Sequence, residues 1–132
     1  MNRINDKIEE IELYISELAE IMPDNLDEYL GVKTKAACER YFEKIVEAVI
    51  GVAFLILKEK KLKVPDDEKS TFDVLVKAKV ITKSLAKKLQ DAKGMRNIIA
   101  HEYGIVNDEL VFHSVSEELI DDVKEFLEQI RK

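Results

Sequence analysis

The 132 residues, 46% hydrophobic and 36% charged with four glycines, two prolines and no tryptophan, suffice for one domain and suit a helical globule; they exclude a disordered chain and fit a β-sandwich poorly. The single cysteine, Cys38, excludes an intramolecular disulfide and lacks a second thiol for a metal-ligand spacing. The net charge of −6 hides a segregation: residues 1–29 hold two basic and nine acidic side chains, residues 102–132 three and nine, residues 30–76 nine and eight, while residues 77–101 set seven cations against Asp91 alone.

In chain order, Ile4, Ile8, Ile11, Ile15 and Leu18 recur at spacings of four and three, which predicts an amphipathic first helix. Pro23 breaks it, and Asp24 or Asn25 is placed to cap the next. A second helix is predicted from about Leu26 to Lys60, loosened in its first turns by Gly31 and Thr34. Its stretch "AVIGVAFLIL" is apolar nearly all round, which belongs at the centre of a bundle. "VPDDEKS" reads as an exposed loop, and Ser70 with Asp73 has the S-x-x-[DE] form of a helix start with Phe72, Leu75 and Val76 inward. A further helix is predicted from Thr82 or Ser84 through Leu85, Leu89, Ala92, Met95, Ile98 and Ile99 to His101, with Gly104 as its terminal glycine.

"IVNDELVFHS" offers Asn107 and Asp108 as turn formers and reads as an irregular link. A final helix is expected to start with a capping box of Ser114 and Glu117 and to bury Leu119, Ile120, Val123, Phe126, Leu127 and Ile130. Together these elements make a single all-α domain over residues 1–132, an antiparallel bundle of four main helices and one short one. The N-terminus lacks the pattern of a secretory signal, and the longest apolar run, residues 48–57, is too short to span a bilayer, so a cytoplasmic protein is expected.

The segment "RNIIAHEYG", residues 96–104, concentrates chemistry. Arg96 and His101 stand five residues apart, about 140° of helical rotation and roughly 7.5 Å of rise, so they do not stack directly. Asn97 and His101 share a face, and the long arginine can reach towards it. The set combines a fork-shaped cation for phosphate oxygens, a group that titrates near neutrality and an orienting amide. Such groups suit metal-free RNA cleavage, in which a base takes the 2′-hydroxyl proton, an acid protonates the departing 5′-oxygen and a cation steadies the phosphate. One histidine cannot serve both ends, and the other, His113, lies in the following link, so a homodimer with two copies of the motif is expected to complete the site. Lys87, Lys88 and Lys93 are candidates for RNA contact, with a solvated lysine face as the alternative. "HEYG" lacks the second histidine of H-E-x-x-H, and neither metal nor cofactor is expected. Gly94, one turn before the motif, is costly inside a helix and raises the question of what needs the space.

"RNIIAHEY" resembles the R-x4-H-x-Y signature of HepT-type proteins, a branch of the HEPN superfamily, and the order of elements is similar to that family through most of the chain. The resemblance implies a HEPN-type bundle and a ribonuclease toxin that dimerises with its motifs facing each other, Arg96 and His101 being catalytic. It also implies a minimal nucleotidyltransferase antitoxin as partner, silencing the toxin by transferring AMP to Tyr103. The alternative is a non-catalytic helical module that docks a nucleotidyltransferase or binds nucleotide or RNA.

Overall fold

The computed structural model describes residues 2–101 and 107–131. Every regular element among them is helical: α1 (Asn2–Ile21), α2 (Leu26–Tyr29), α3 (Val32–Glu59), α4 (Glu68–Lys77), α5 (Lys83–His101), α6 (Asp108–His113), a π-helical segment (Ser114–Leu119) and α7 (Ile120–Ile130). The last three run end to end as one helix over residues 108–130. The expected all-α bundle is therefore present.

Helix α3 is the hub. Cys38, Phe42, Ile45, Val49, Val52, Ala53 and Leu57 are buried along it, and α1, α4, α5 and the π segment all pack against it. The stripe of α1 is buried as its spacing requires, with Ile11 and Leu18 fully enclosed against α3. Phe72 and Leu75 of α4, Leu85 and Leu89 of α5, and Phe126 of α7 close the core.

The second helix is not continuous from residue 26. Asn25 Oδ1 caps α2 by accepting the Glu28 N–H at 2.9 Å, and after this single turn Gly31 is extended (φ −58°, ψ 138°). In an unbroken helix Tyr29 would stand about 140° round from Phe42, away from the core. The break turns it inward, where it is fully buried against Phe112 with ring centroids 5.2 Å apart.

The start of α4 also differs from expectation. Asp67 is the N-cap, accepting the Ser70 N–H on Oδ1 at 2.7 Å and the Ser70 hydroxyl on Oδ2 at 3.0 Å, so Ser70 lies in the first turn rather than ahead of it. The end of the stretch read as an exposed loop, from Asp67 on, thus forms the cap and first turn of this helix.

The expected link at residues 107–113 is helical. Asn107 acts as a cap, Oδ1 accepting the Leu110 N–H at 3.1 Å, and Lys35 Nζ ties Asp108 to α3 at 3.0 Å. Ser114 and Glu117 therefore lie inside a helix and form no capping box. Val111, Val115, Leu119 and Val123 are all buried at strict four-residue spacing, which drifts about 40° per step on an α-helix. The wider π turn between residues 114 and 119 takes up that drift and keeps the row on the core.

Helices α3 and α4 end alike. The Leu62 N–H bonds to the Leu57 carbonyl (2.8 Å) and the Lys61 N–H to Lys58 (3.1 Å); Val80 bonds to Leu75 (2.9 Å) and Lys79 to Val76 (2.9 Å). This pairing defines the Schellman motif, whose left-handed residue is ordinarily glycine, yet here it is Lys61 (φ 59°) and Lys79 (φ 63°). Lys79→Gly is expected to stabilise the chain by about 1 kcal/mol by relieving the left-handed strain, read as a raised denaturation midpoint; an unchanged or lowered midpoint would show that the lysine is not strained there.

Candidate active site at the end of helix α5

Helix α5 starts at a side-chain cap, the Leu85 N–H donating to Thr82 Oγ1 at 3.1 Å, and the Thr82 N–H is held by Gln129 Oε1 at 2.9 Å. Leu85, Ala86, Leu89 and Ile99 are its buried residues, and they set which way the motif faces.

Arg96 points to the core side. Its side chain is only 13% exposed, and Nη2 donates to Glu68 Oε1 at 2.7 Å while Nη1 lies 3.6 Å from Glu47 Oε2. Its Nε is buried and finds no acceptor among the described residues. Arg96 is thus held between α3 and α4. Asp91, on the same helix, is bound by Lys87 at 2.8 Å, and Glu102 lies outside the described residues.

His101 is the last residue of α5 and is exposed, while Asn97 is half-buried. Ile98 is 45% exposed; Ile99 takes the core position beside it. Lys87, Asp91, Gly94, Ile98 and His101, at spacings of four and three, therefore form one exposed stripe. A methyl group at Gly94 would meet nothing within 4 Å among the described residues. Tyr103 and Gly104 lie outside the described residues.

The lysine candidates separate. Lys87 is engaged by Asp91, and Lys88 is turned to α7, 3.4 Å from Glu125 and 4.0 Å from Asp122. Lys93 lies within one turn of Arg96 and near Asp67, whose carboxyl is held below its usual range by the Ser70 backbone and hydroxyl hydrogen bonds, with Lys93 adding to the effect. Burial pushes the Cys38 thiol up, as expected of a packing residue rather than a nucleophile. His113 is exposed and 4.0 Å from Glu118. No group of three His, Cys, Asp or Glu side chains among the described residues could hold a metal ion.

Sequence reasoning missed Glu47 and Glu68. One lies on the exposed side of a long helix and the other in the run taken as a loop; only packing brings them to Arg96.

Comparison with known proteins shows the family and the fold. The "Ribonuclease HepT-like" family matches residues 7–130. The chain is 30% identical to the mRNA nuclease HepT of Shewanella oneidensis over 89 residues, 67% of this chain and 66% of that relative. It is 29% identical to the tRNA nuclease HepT of Aphanizomenon flos-aquae, covering 86% of this chain and 78% of the relative, and 30% identical to a putative RNase of Archaeoglobus fulgidus, covering 93% and 94%. Its fold superposes with a TM-score of 0.90 and 25% identity on the tri-AMPylated HEPN toxin of Shewanella oneidensis in complex with its MNT antitoxin, covering 97% and 96% of the two chains. A toxin–antitoxin structure with AMP-PNP gives 0.91 at 24% identity, covering 99% and 98%. With the bundle, the order of its helices and the family match in agreement, the chain belongs to the HepT-like ribonuclease family of HEPN-superfamily toxins.

Proposed function

We propose that this chain is a metal-independent endoribonuclease toxin that works in the cytoplasm as a homodimer. The observation that carries the reading is the exposed stripe ending at His101, with open space at Gly94 and a half-exposed Ile98. A second copy crossing there would bury Ile98 and bring two His101 side chains to one cleft. The paired histidines divide the work that one cannot do: one takes the 2′-hydroxyl proton and the other protonates the 5′-oxygen as the P–O bond breaks. Arg96 binds the phosphate on which charge accumulates, and Asn97 orients the group beside it.

Lys93 is the best placed of the lysines to guide RNA to Arg96, whereas Lys87 and Lys88 reach phosphate only by leaving Asp91 and Glu125. The relatives named mRNA and tRNA nuclease support an RNA substrate. The AMPylated toxin bound to its antitoxin supports a minimal nucleotidyltransferase as partner. Tyr103, two residues beyond His101, is the proposed acceptor of AMP: its hydroxyl oxygen attacks the α-phosphorus of ATP, pyrophosphate leaves, and the product carries bulk and negative charge where RNA phosphates must pass. No helix among the described residues is long and apolar enough to cross a membrane.

Purified chain free of its partner is expected to cut RNA in excess chelator, leaving 2′,3′-cyclic phosphate ends, with His101→Ala slower by at least about 100-fold. RNA bound but uncut would instead make the domain a non-catalytic binding module. Incubation with a minimal nucleotidyltransferase antitoxin and ATP is expected to add adenylyl mass to the wild type and none to Tyr103→Phe; a gain retained by the variant would move the modification elsewhere.

A further inference from the structure

The two carboxylates that hold Arg96 are not equivalent. Glu68 is fixed: it opens α4 directly behind the Asp67 cap, its helix is anchored by the buried Phe72 and Leu75, and its 2.7 Å contact is a short charge-assisted hydrogen bond. Glu47 is loosely held. At 3.6 Å from Nη1 it is beyond hydrogen-bond range, although the two carboxylates are similarly exposed, and it borders a groove of about 190 Å³ between α1 and α3 lined also by Lys7, Glu10, Arg40 and Lys44. Lys44 stands over the Tyr14 ring at 4.4 Å and the Tyr41 ring at 5.3 Å, a cation towards which a displaced Glu47 side chain can turn.

A guanidinium has five N–H donors, and Arg96 spends one on Glu68 in a true hydrogen bond. With two carboxylates around one guanidinium, the site is one negative charge in excess until one of them withdraws. An incoming phosphate meets that excess.

Building on the ribonuclease reading, we propose that Glu68 is the positioning residue that fixes the Arg96 guanidinium, and that Glu47 holds the place the scissile phosphate takes. Substrate displaces Glu47 towards the α1–α3 groove and leaves the Glu68 bond intact. The two glutamate-to-glutamine variants therefore act on different steps, because glutamine keeps the size of the side chain and removes its charge.

The test uses the full chain, with cleavage of single-stranded RNA and fluorescence-anisotropy binding of a 2′-O-methyl RNA oligonucleotide, which lacks the attacking hydroxyl and is not cut. Glu47→Gln is expected to bind the oligonucleotide about three- to tenfold more tightly and to lower KM, since a repelling charge is gone. Glu68→Gln also removes a charge, and is set apart by its expected drop in kcat of about tenfold or more through misalignment of Arg96, a drop that Glu47→Gln does not share and that Glu68→Asp recovers in part. Arg96→Gln sets the scale by weakening the oligonucleotide in the wild-type background. Equal losses in kcat and affinity from both variants, following a drop in melting temperature, would reduce the pair to a structural role and overturn the proposal. If the wild type cuts no RNA the ribonuclease reading fails, and the binding arm still decides this one: unchanged affinity in Glu47→Gln overturns it.

Discussion

Helix α3 is apolar nearly all the way round, and the rest of the molecule is arranged to keep water off it. Burial of one Leu, Ile or Phe side chain is worth about 1.5–3 kcal/mol, so a helix with Cys38, Phe42, Ile45, Val49, Val52 and Leu57 enclosed demands neighbours on every side. α1 covers one flank, α4 and α5 another, and the helix of residues 108–130 the remainder. The functional segment inherits its orientation from this demand. Because Leu85, Leu89 and Ile99 must face α3 and its neighbours, Arg96 is carried to the inner side of α5 and His101 to the outer.

That division gives Arg96 and His101, five residues apart and proposed as the catalytic pair, different surroundings. A guanidinium drawn to the inner side loses hydration and needs an ionic partner, and leaving it unpaired would be costly. Glu68 meets the need directly. The short helix α4 thus has a role beyond covering the core, since its capped first turn carries the carboxylate that holds Arg96. The outward His101, by contrast, lies on the exposed stripe of α5 with Gly94, against which no described residue packs.

Much of this was legible in the sequence, for reasons that lie within one helix. The four- and three-residue spacing of α1, the apolar girth of α3 and the face of α7 each express a local period, and each is buried as the period requires. The misreadings share a different cause. The break at Gly31 follows from where Tyr29 must go to meet Phe112, a contact between residues far apart in the chain. Asn107 and Asp108 look like turn formers until Lys35 and the row from Val111 to Val123 make them the start of a helix. At the site, Arg96 and His101 stood out by type and spacing and by resemblance to a family signature. Glu47 and Glu68 did not, because nothing in their own segments marks them and only tertiary packing joins them to Arg96.

The reading as a whole turns on a site that one chain cannot complete. Specific RNA-cleaving activity and molecular mass, measured on the same sample diluted through dimer dissociation, test that most directly. Activity per chain is expected to fall in step with the dimer fraction and to approach zero where only monomer remains; undiminished activity of a monomer would contradict the composite site.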